Sequence, residues 1–361
     1  MKKGEIIAVI TSVMFLGVII FAALSLFAGT KSLPVELADI ACEEPSTEDP
    51  GEPVSSPNGA VKIESFTMKV PPYIKMIPGG TYYTNAEVTP ANANEVLTWH
   101  SSNSSVATVS KDGVITAERT GFSMITVSAF NNLGYSRILV DVVRVPDTIL
   151  DVPYITQIYD YPNGCEAVST VMALNYEGID ITVDDFIENY LDMSPLPVAR
   201  DGELWGYSPW DYFLGDPREA DGLCCYAPCI VHSLEKFVDP DEYEIIELYG
   251  EDIEDLCTDY VMQGDPVIFW GTMYMNAPSV PGWHWRVIDT DDTYYWVDPM
   301  HCLLLVGVDK DNYYFNDPTA GKCVPYSKSD VRAAYEGLFE QAVVVRRRDN
   351  AETADENEIA P

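Results

Sequence analysis

The sequence predicts a multi-domain chain: an N-terminal transmembrane helix, an all-β sandwich, then an α+β domain. Three observations carry that reading. Lys2 and Lys3 precede an apolar run from Ile6 to Ala28 that contains no charge. Short alternating stretches separated by turn signals fill 61–146. Helical patterns followed by strand patterns fill 147–348.

The first segment, 1–30, is read as an anchor. A bilayer core takes about 20 apolar residues, which the run supplies, whereas a cleaved signal usually carries a shorter stretch. Ala23-Leu24-Ser25 offers small residues for cleavage but lies inside the run, so an uncleaved anchor is favoured. The two lysines hold the N-terminus in the cytoplasm and put the body outside the cell. If the segment is cleaved, the body is secreted. Residues 31–60 are rich in Pro, Ser, Glu and Asp and read as a linker. Cys42 lies too far from the apolar run, in too acidic a flank, for lipid attachment. Residues 349–361 read as an acidic, disordered tail.

The net charge of −36, from 57 acidic and 21 basic residues, excludes nucleic acid as a partner, because phosphate binding needs clustered Lys and Arg. It also argues against anionic lipid. A solvated, self-repelling surface is the plain reading of such acidity.

From Val61 onward come "SFTMKV", "EVLTWHS", "VATVS", "GVITAE", "SMITVSAF" and "SRILVDVV". Pro78-Gly79-Gly80, Lys111-Asp112-Gly113 and Asn131-Asn132 supply turns between them. Regular short strands with turns predict an antiparallel sandwich. Trp99 is its expected core anchor, and His100 should face solvent on the opposite side of the strand. The stretch "LTWHSSNSSVATVSKDGVITAERTGFSMITVSA" resembles the bacterial immunoglobulin-like domain of group 2, with Trp99, Asn103, Val106, Gly113, Ala117 and Gly121 where that pattern has them. The resemblance implies a spacer or adhesive module.

In the third region "CEAVSTVMALNYEG" has apolar or small residues at near-helical spacing, with Gly178 as its stop. "TVDDFIENYLDM", "APCIVHSLEKFV" and "YSKSDVRAAYEG" give further helices. "PVIFWGTM", "HCLLLVGVD", "NYYFNDP" and "QAVVVRR" read as strands, with Asp309 to Asn312 as a hairpin turn. This order is α+β.

Cys165 stands at the loop-to-helix junction "YPNGCEAVST". A helix N-terminus and a nearby imidazole both favour thiolate, which makes Cys165 a candidate nucleophile. From position alone, a disulfide half or a packed thiol explains Cys165 better. His301, at the head of an apolar strand, is the candidate base; His284 in a Trp-rich loop is its rival, and His232 reads as helix surface. Asp317, one hairpin later, falls on the neighbouring strand, where a carboxylate fixes an imidazole tautomer; a turn role before Pro318 is the alternative. Gln157 offers a side-chain amide to a developing oxyanion.

Gln, Cys at a helix start, a distant His, then Asp is the order of papain-like cysteine peptidases. More narrowly, the region resembles the C39-like branch of peptidase family C39. Pro153 to Gln157, "NGCEAVS" with "MALNYEG", "GDPR", "YAPCIVHSLEKF", "HCLLLVGVD" and "NDP" carry the likeness. It implies a papain-like cysteine peptidase fold with Cys165 as nucleophile, His301 as base then acid, Asp317 as orienter and Gln157 as oxyanion donor. The aromatic loop 273–300 either shapes substrate entry or covers the core.

No cofactor or metal is expected. Cys224, Cys225, Cys229 and His232 lack the paired C-x2-C spacing of a zinc site. Export permits one or two disulfides among Cys225, Cys229, Cys257, Cys302 and Cys323. Cys165 is then the cysteine expected to stay unpaired, and Cys302 should point away from the cleft. The sequence thus predicts an exported, membrane-anchored cysteine peptidase with an immunoglobulin-like spacer, acting on a peptide or protein. The alternatives are a surface binding or adhesion protein with an inert peptidase-like domain, and a cell-wall amidase or endopeptidase.

Overall fold

The computed structural model describes residues 61–129, 135–145, 148–288, 290 and 292–348. The expected anchor, the linker with Cys42 and the acidic tail lie outside the described residues. Among the described residues no helix is long and apolar enough to cross a membrane.

The first domain is a sandwich. One sheet runs Tyr73–Met76, Tyr135–Val142, Gly121–Ala129, Leu97–Ser101; the other runs Thr81–Tyr83, Val114–Ala117, Ala107–Val109. Ser65–Met68 pairs separately with Ala86–Thr89. The period-2 pattern of Gly121–Ala129 turns Ser123, Ile125, Val127 and Ala129 inward, where Ile125 packs with Ile115, Ile138 and Val140. The expected all-antiparallel sandwich has one exception: Tyr73–Met76 lies parallel to Tyr135–Val142. The chain between them forms the rest of the sandwich, which supplies the long crossover that a parallel pair requires. Trp99 is half-buried against the core rather than sealed within it, and His100 is exposed. At Gly113, with φ +79°, an added Cβ would fall 2.6 Å from the Trp99 ring, so the turn and the ring fit only around glycine.

The second domain is built on one antiparallel sheet. Its order is Tyr243–Tyr249, Gln341–Arg347, Val267–Thr272, Met300–Val308, Asn312–Asp317, Gly321–Ser327, with Thr148–Ile149 also bonded to Met300–Val308. Helices cover both faces. Cys302, Leu304 and Val306 pack into the core of the Cys165–Tyr176 helix, while Leu303 and Leu305 pack into that of the Ile253–Asp259 and Lys328–Gly337 helices. A strand buried on both sides reads as a continuous apolar run, which is why "HCLLLVGV" shows no alternation.

The Cys165–Tyr176 helix is buried at every position from Cys165 to Leu174. Its small and apolar residues therefore need no polar stripe. Gly178, with φ +89°, ends it. Thr182 caps Val183–Asn189 and Ser327 caps Lys328–Gly337, each accepting a backbone N–H through its hydroxyl.

The sequence reading passed over a small four-stranded sheet of Val198–Arg200, Glu203–Gly206, His284–Val287 and Thr293–Tyr295. Two of its strands, His284–Val287 and Thr293–Tyr295, lie in the expected aromatic loop. Trp285 is fully buried and donates its indole N–H to the Tyr207 carbonyl at 2.9 Å, while Trp283 and Tyr295 are exposed.

Candidate active site

Cys165 is the first residue of its helix, and Gly164 precedes it. An added Cβ at Gly164 would lie 2.7 Å from Tyr161 Cβ, so close approach, not an unusual dihedral, demands glycine there. The Ser169 hydroxyl, one turn on, donates to the Cys302 carbonyl at 3.2 Å. That bond ties the helix to the His301 strand, and the Cys302 N–H reaches the Cys165 thiol, favouring its thiolate. Burial, and then the Glu166 carboxylate, outweigh this and push the thiol well above its ordinary value.

His301 and Asp317 are fully buried, whereas Cys165 keeps 7 % of its surface exposed. His301 Nε2 lies 2.8 Å from Asp317 Oδ1. A carboxylate only accepts, so Nε2 carries the proton and Nδ1 of the neutral ring is the base. Nδ1 is buried with no hydrogen-bond partner, so the imidazole does not engage the thiol in this structure. Asp317 Oδ1 also accepts the Thr319 N–H at 2.9 Å, the Thr319 hydroxyl at 2.8 Å and the Ala320 N–H at 3.1 Å. Oδ2 accepts the Tyr326 hydroxyl at 2.6 Å. Burial alone would raise this carboxyl; the positive charge that His301 takes on when protonated, and the hydrogen bonds, reverse that and hold it at about 2.

Gln157 is buried. Its backbone N–H donates to the Pro318 carbonyl at 3.0 Å and its Nε2 to the Pro162 carbonyl at 3.1 Å. It thus bonds both the loop beyond Asp317 and the loop before Cys165. Its Oε1 has no partner.

Glu166 escaped the sequence reading. Its Oε2 accepts from the Cys165 thiol at 3.2 Å and its Oε1 accepts the Cys225 N–H at 2.9 Å. Burial raises its carboxyl to about 7, against the pull of the Cys225 N–H and of His301. The available signal was a charged residue inside an otherwise apolar helix, directly after the candidate nucleophile.

Other expectations change. Cys302 does not point away from the site: it shares the core of the Cys165 helix, because that helix lies on Cys302's face of the sheet. The cysteines expected to form disulfides do not. All seven described cysteines are free and buried, so Cys165 is not distinguished by lacking a partner. His284 is exposed in a strand, its Nδ1 2.8 Å from the Gly282 carbonyl. His232 is exposed while Cys224, Cys225 and Cys229 are buried. A cavity of about 640 Å³ lined by Tyr207, Trp210, Asp211, His232 and Tyr294 includes none of Gln157, Cys165, His301 and Asp317.

With this arrangement in view, the comparisons with known proteins decide the family. The model of the Peptidase_C39 like family matches residues 149–343. The chain belongs to that family. The bacterial Ig-like domain (group 2) matches residues 67–134, ahead of the C39-like domain. The uncharacterized protein YvpB of Bacillus subtilis (strain 168) is 27 % identical over 186 residues, covering 51 % of this chain and 70 % of that protein. A candidate C39-like peptidase from Bacillus anthracis of known structure is 22 % identical, covers 56 % of this chain and 99 % of its own, and gives a TM-score of 0.48. Domains 1–6 of surface layer protein SbsC give a TM-score of 0.21 at 15 % identity, over 27 % of this chain and 15 % of that one.

Proposed function

We propose that the C39-like domain is a cysteine peptidase cleaving peptide bonds of a peptide or protein substrate outside the cell. One observation carries the reading: His301 is oriented by Asp317 at 2.8 Å and keeps a free, buried Nδ1, and the next residue of its strand, Cys302, gives its N–H to the Cys165 thiol. In this mechanism Nδ1 takes the thiol proton and the sulfur attacks the substrate carbonyl. The Cys165 N–H at the helix start and the Gln157 amide hold the oxyanion. The imidazolium then protonates the leaving amine, and water hydrolyses the thioester. Asp317, held ionised at about 2, stabilises the imidazolium throughout. The apolar run from Ile6 to Ala28 supports anchorage in the cell membrane, with the body exported.

The raised thiol supports a second reading, a surface binding protein with an inert domain. Iodoacetamide labelling of the full chain, followed cysteine by cysteine, separates the two. The peptidase reading expects Cys165 to label faster than the other thiols, and His301→Ala to slow it. Equal labelling of all thiols, or a rate indifferent to His301, sinks it.

A further inference from the structure

The turn after Asp317 is held from two sides. On the inside, Thr319 and Ala320 give their N–H groups to Asp317 Oδ1. On the outside, the immunoglobulin-like domain takes hold of the same backbone. Asn85 Nδ2 donates to the Thr319 carbonyl at 3.1 Å, and the Tyr83 N–H donates to the Ala320 carbonyl at 2.6 Å. The peptide joining Thr319 to Ala320 therefore has its C=O on Asn85 and its N–H on Asp317. Two residues after Ala320, the Lys322 N–H donates to the Thr81 hydroxyl at 3.3 Å.

The fit is close. Gly321 has φ +151°, and a Cβ added there would overlap the Thr81 carbonyl. The packing is also shared. Ala320 and Val324 from the C39-like domain lie in the same apolar cluster as Tyr82, Ile74 and Val140, with Tyr326 and Tyr274 packed against it. Tyr326 is the residue that donates to Asp317 Oδ2. Asn85 Nδ2 also reaches the Tyr274 hydroxyl at 3.1 Å, just beyond the Val267–Thr272 strand. A passive spacer needs none of these contacts.

We propose that the immunoglobulin-like domain is a positioning element of the catalytic pair, with Asn85, Tyr83 and Thr81 fixing the turn that aims Asp317 at His301. The proposal rests on reading His301 and Asp317 as base and orienter. His301, Tyr326, Tyr82, Tyr274 and Tyr154 are the titratable groups facing Asp317 from the elements around it, and none of them is a carboxylate that competes for the imidazole.

The test uses the full chain with histidine labelled in ¹⁵N. The downfield resonance of the His301 Nε2–H, and its exchange with water, report the bond to Asp317 directly. Asn85→Gly decides. Asn85 has φ +47°, a conformation glycine adopts freely, so the change removes the amide without straining the turn. Tyr326→Phe, which removes a direct bond to Asp317, calibrates the signal. Asn85→Gly is expected to move the resonance upfield and to speed exchange about tenfold, as loss of tethering hydrogen bonds allows. Gly321→Ala should do the same or more, but its Cβ risks the fold, so it is not decisive. If Asn85→Gly leaves position and exchange as in the wild type while Tyr326→Phe changes them, the proposal is overturned. The peptidase reading then stands on its own test, His301-dependent alkylation of Cys165. Conversely, alkylation indifferent to His301 sinks the peptidase reading while the resonance still reports whether Asn85 holds the Asp317 turn.

Discussion

Glu166 Oε2 lies 3.2 Å from Cys165 Sγ, and Glu166 is fully buried. A carboxylate in that position opposes ionisation of the thiol it touches. Glu166→Gln keeps the shape and removes the charge. The rate of Cys165 alkylation near pH 8 is expected to rise about tenfold, the change that one pKa unit gives. A fall in rate would mean that Glu166 acts as the thiol's base and not as its brake.

The same residue sets a pH dependence of stability. Its carboxyl is raised from 4.5 to about 7 in the fold. The native state therefore binds a proton that the unfolded chain releases. The associated stability is full below about pH 4.5 and is lost as pH rises through about 7. The loss is on the order of 3 kcal/mol. Urea unfolding across that interval should show a falling midpoint in the wild type and a flatter one in Glu166→Gln.

Asp317 has the opposite sign. Held at about 2 against an ordinary 3.8, it stabilises the fold above about pH 4, and the contribution, roughly 2 kcal/mol, is lost as pH falls through about 2. Tyr326→Phe removes one donor and raises the carboxyl. Acid unfolding followed by fluorescence should then begin at higher pH than in the wild type. An unchanged acid limb would show that the Tyr326 bond at 2.6 Å contributes nothing.

Gly164→Ala places a methyl 2.7 Å from Tyr161 Cβ and 3.4 Å from Pro217 Cβ. Overpacking of this kind costs about 1–3 kcal/mol. A lower Tm and slower Cys165 alkylation should appear together, because the displaced residue adjoins the helix start.

Leu304 is fully buried in the middle of the central strand. Leu304→Ala should cost about 2–5 kcal/mol. Phe122, 63 % exposed on the immunoglobulin-like domain, is the control: Phe122→Ala should change stability by no more than about 0.5 kcal/mol. Chemical denaturation of the two variants side by side checks the contrast.

These contrasts also mark what the sequence reveals. "HCLLLVGV" and "QAVVVRR" announce themselves as strands because burial on both faces leaves no room for polar residues. The stretch "CEAVSTVMALNY" reads as a helix because Gly178 closes a run of small and apolar residues. Asp317 could be placed beside His301 because a short hairpin fixes which strands are neighbours, and the two side chains do meet. What stayed hidden depends on distant pairings. Glu166 has the composition of a solvated helix residue, and only the folded chain shows it under Cys225. Glu203–Gly206 pairs with His284–Val287 about 80 residues away, and nothing local in "ELWG" signals that partner. Cys302 was expected to point away from the cleft yet packs with the Cys165 helix, because periodicity does not say on which side of the sheet a helix lies.

Asn85 and Thr319 stand 234 residues apart in the chain. A polypeptide is made from its N-terminus, so the immunoglobulin-like domain is complete long before its partner turn exists. Contacts of such separation form late, after the intervening chain has closed the loop between them. A chain still being synthesised therefore carries Cys165 for much of that time without a fixed Asp317. Order of synthesis alone would keep the Asp317 turn unset until nearly the whole chain is made.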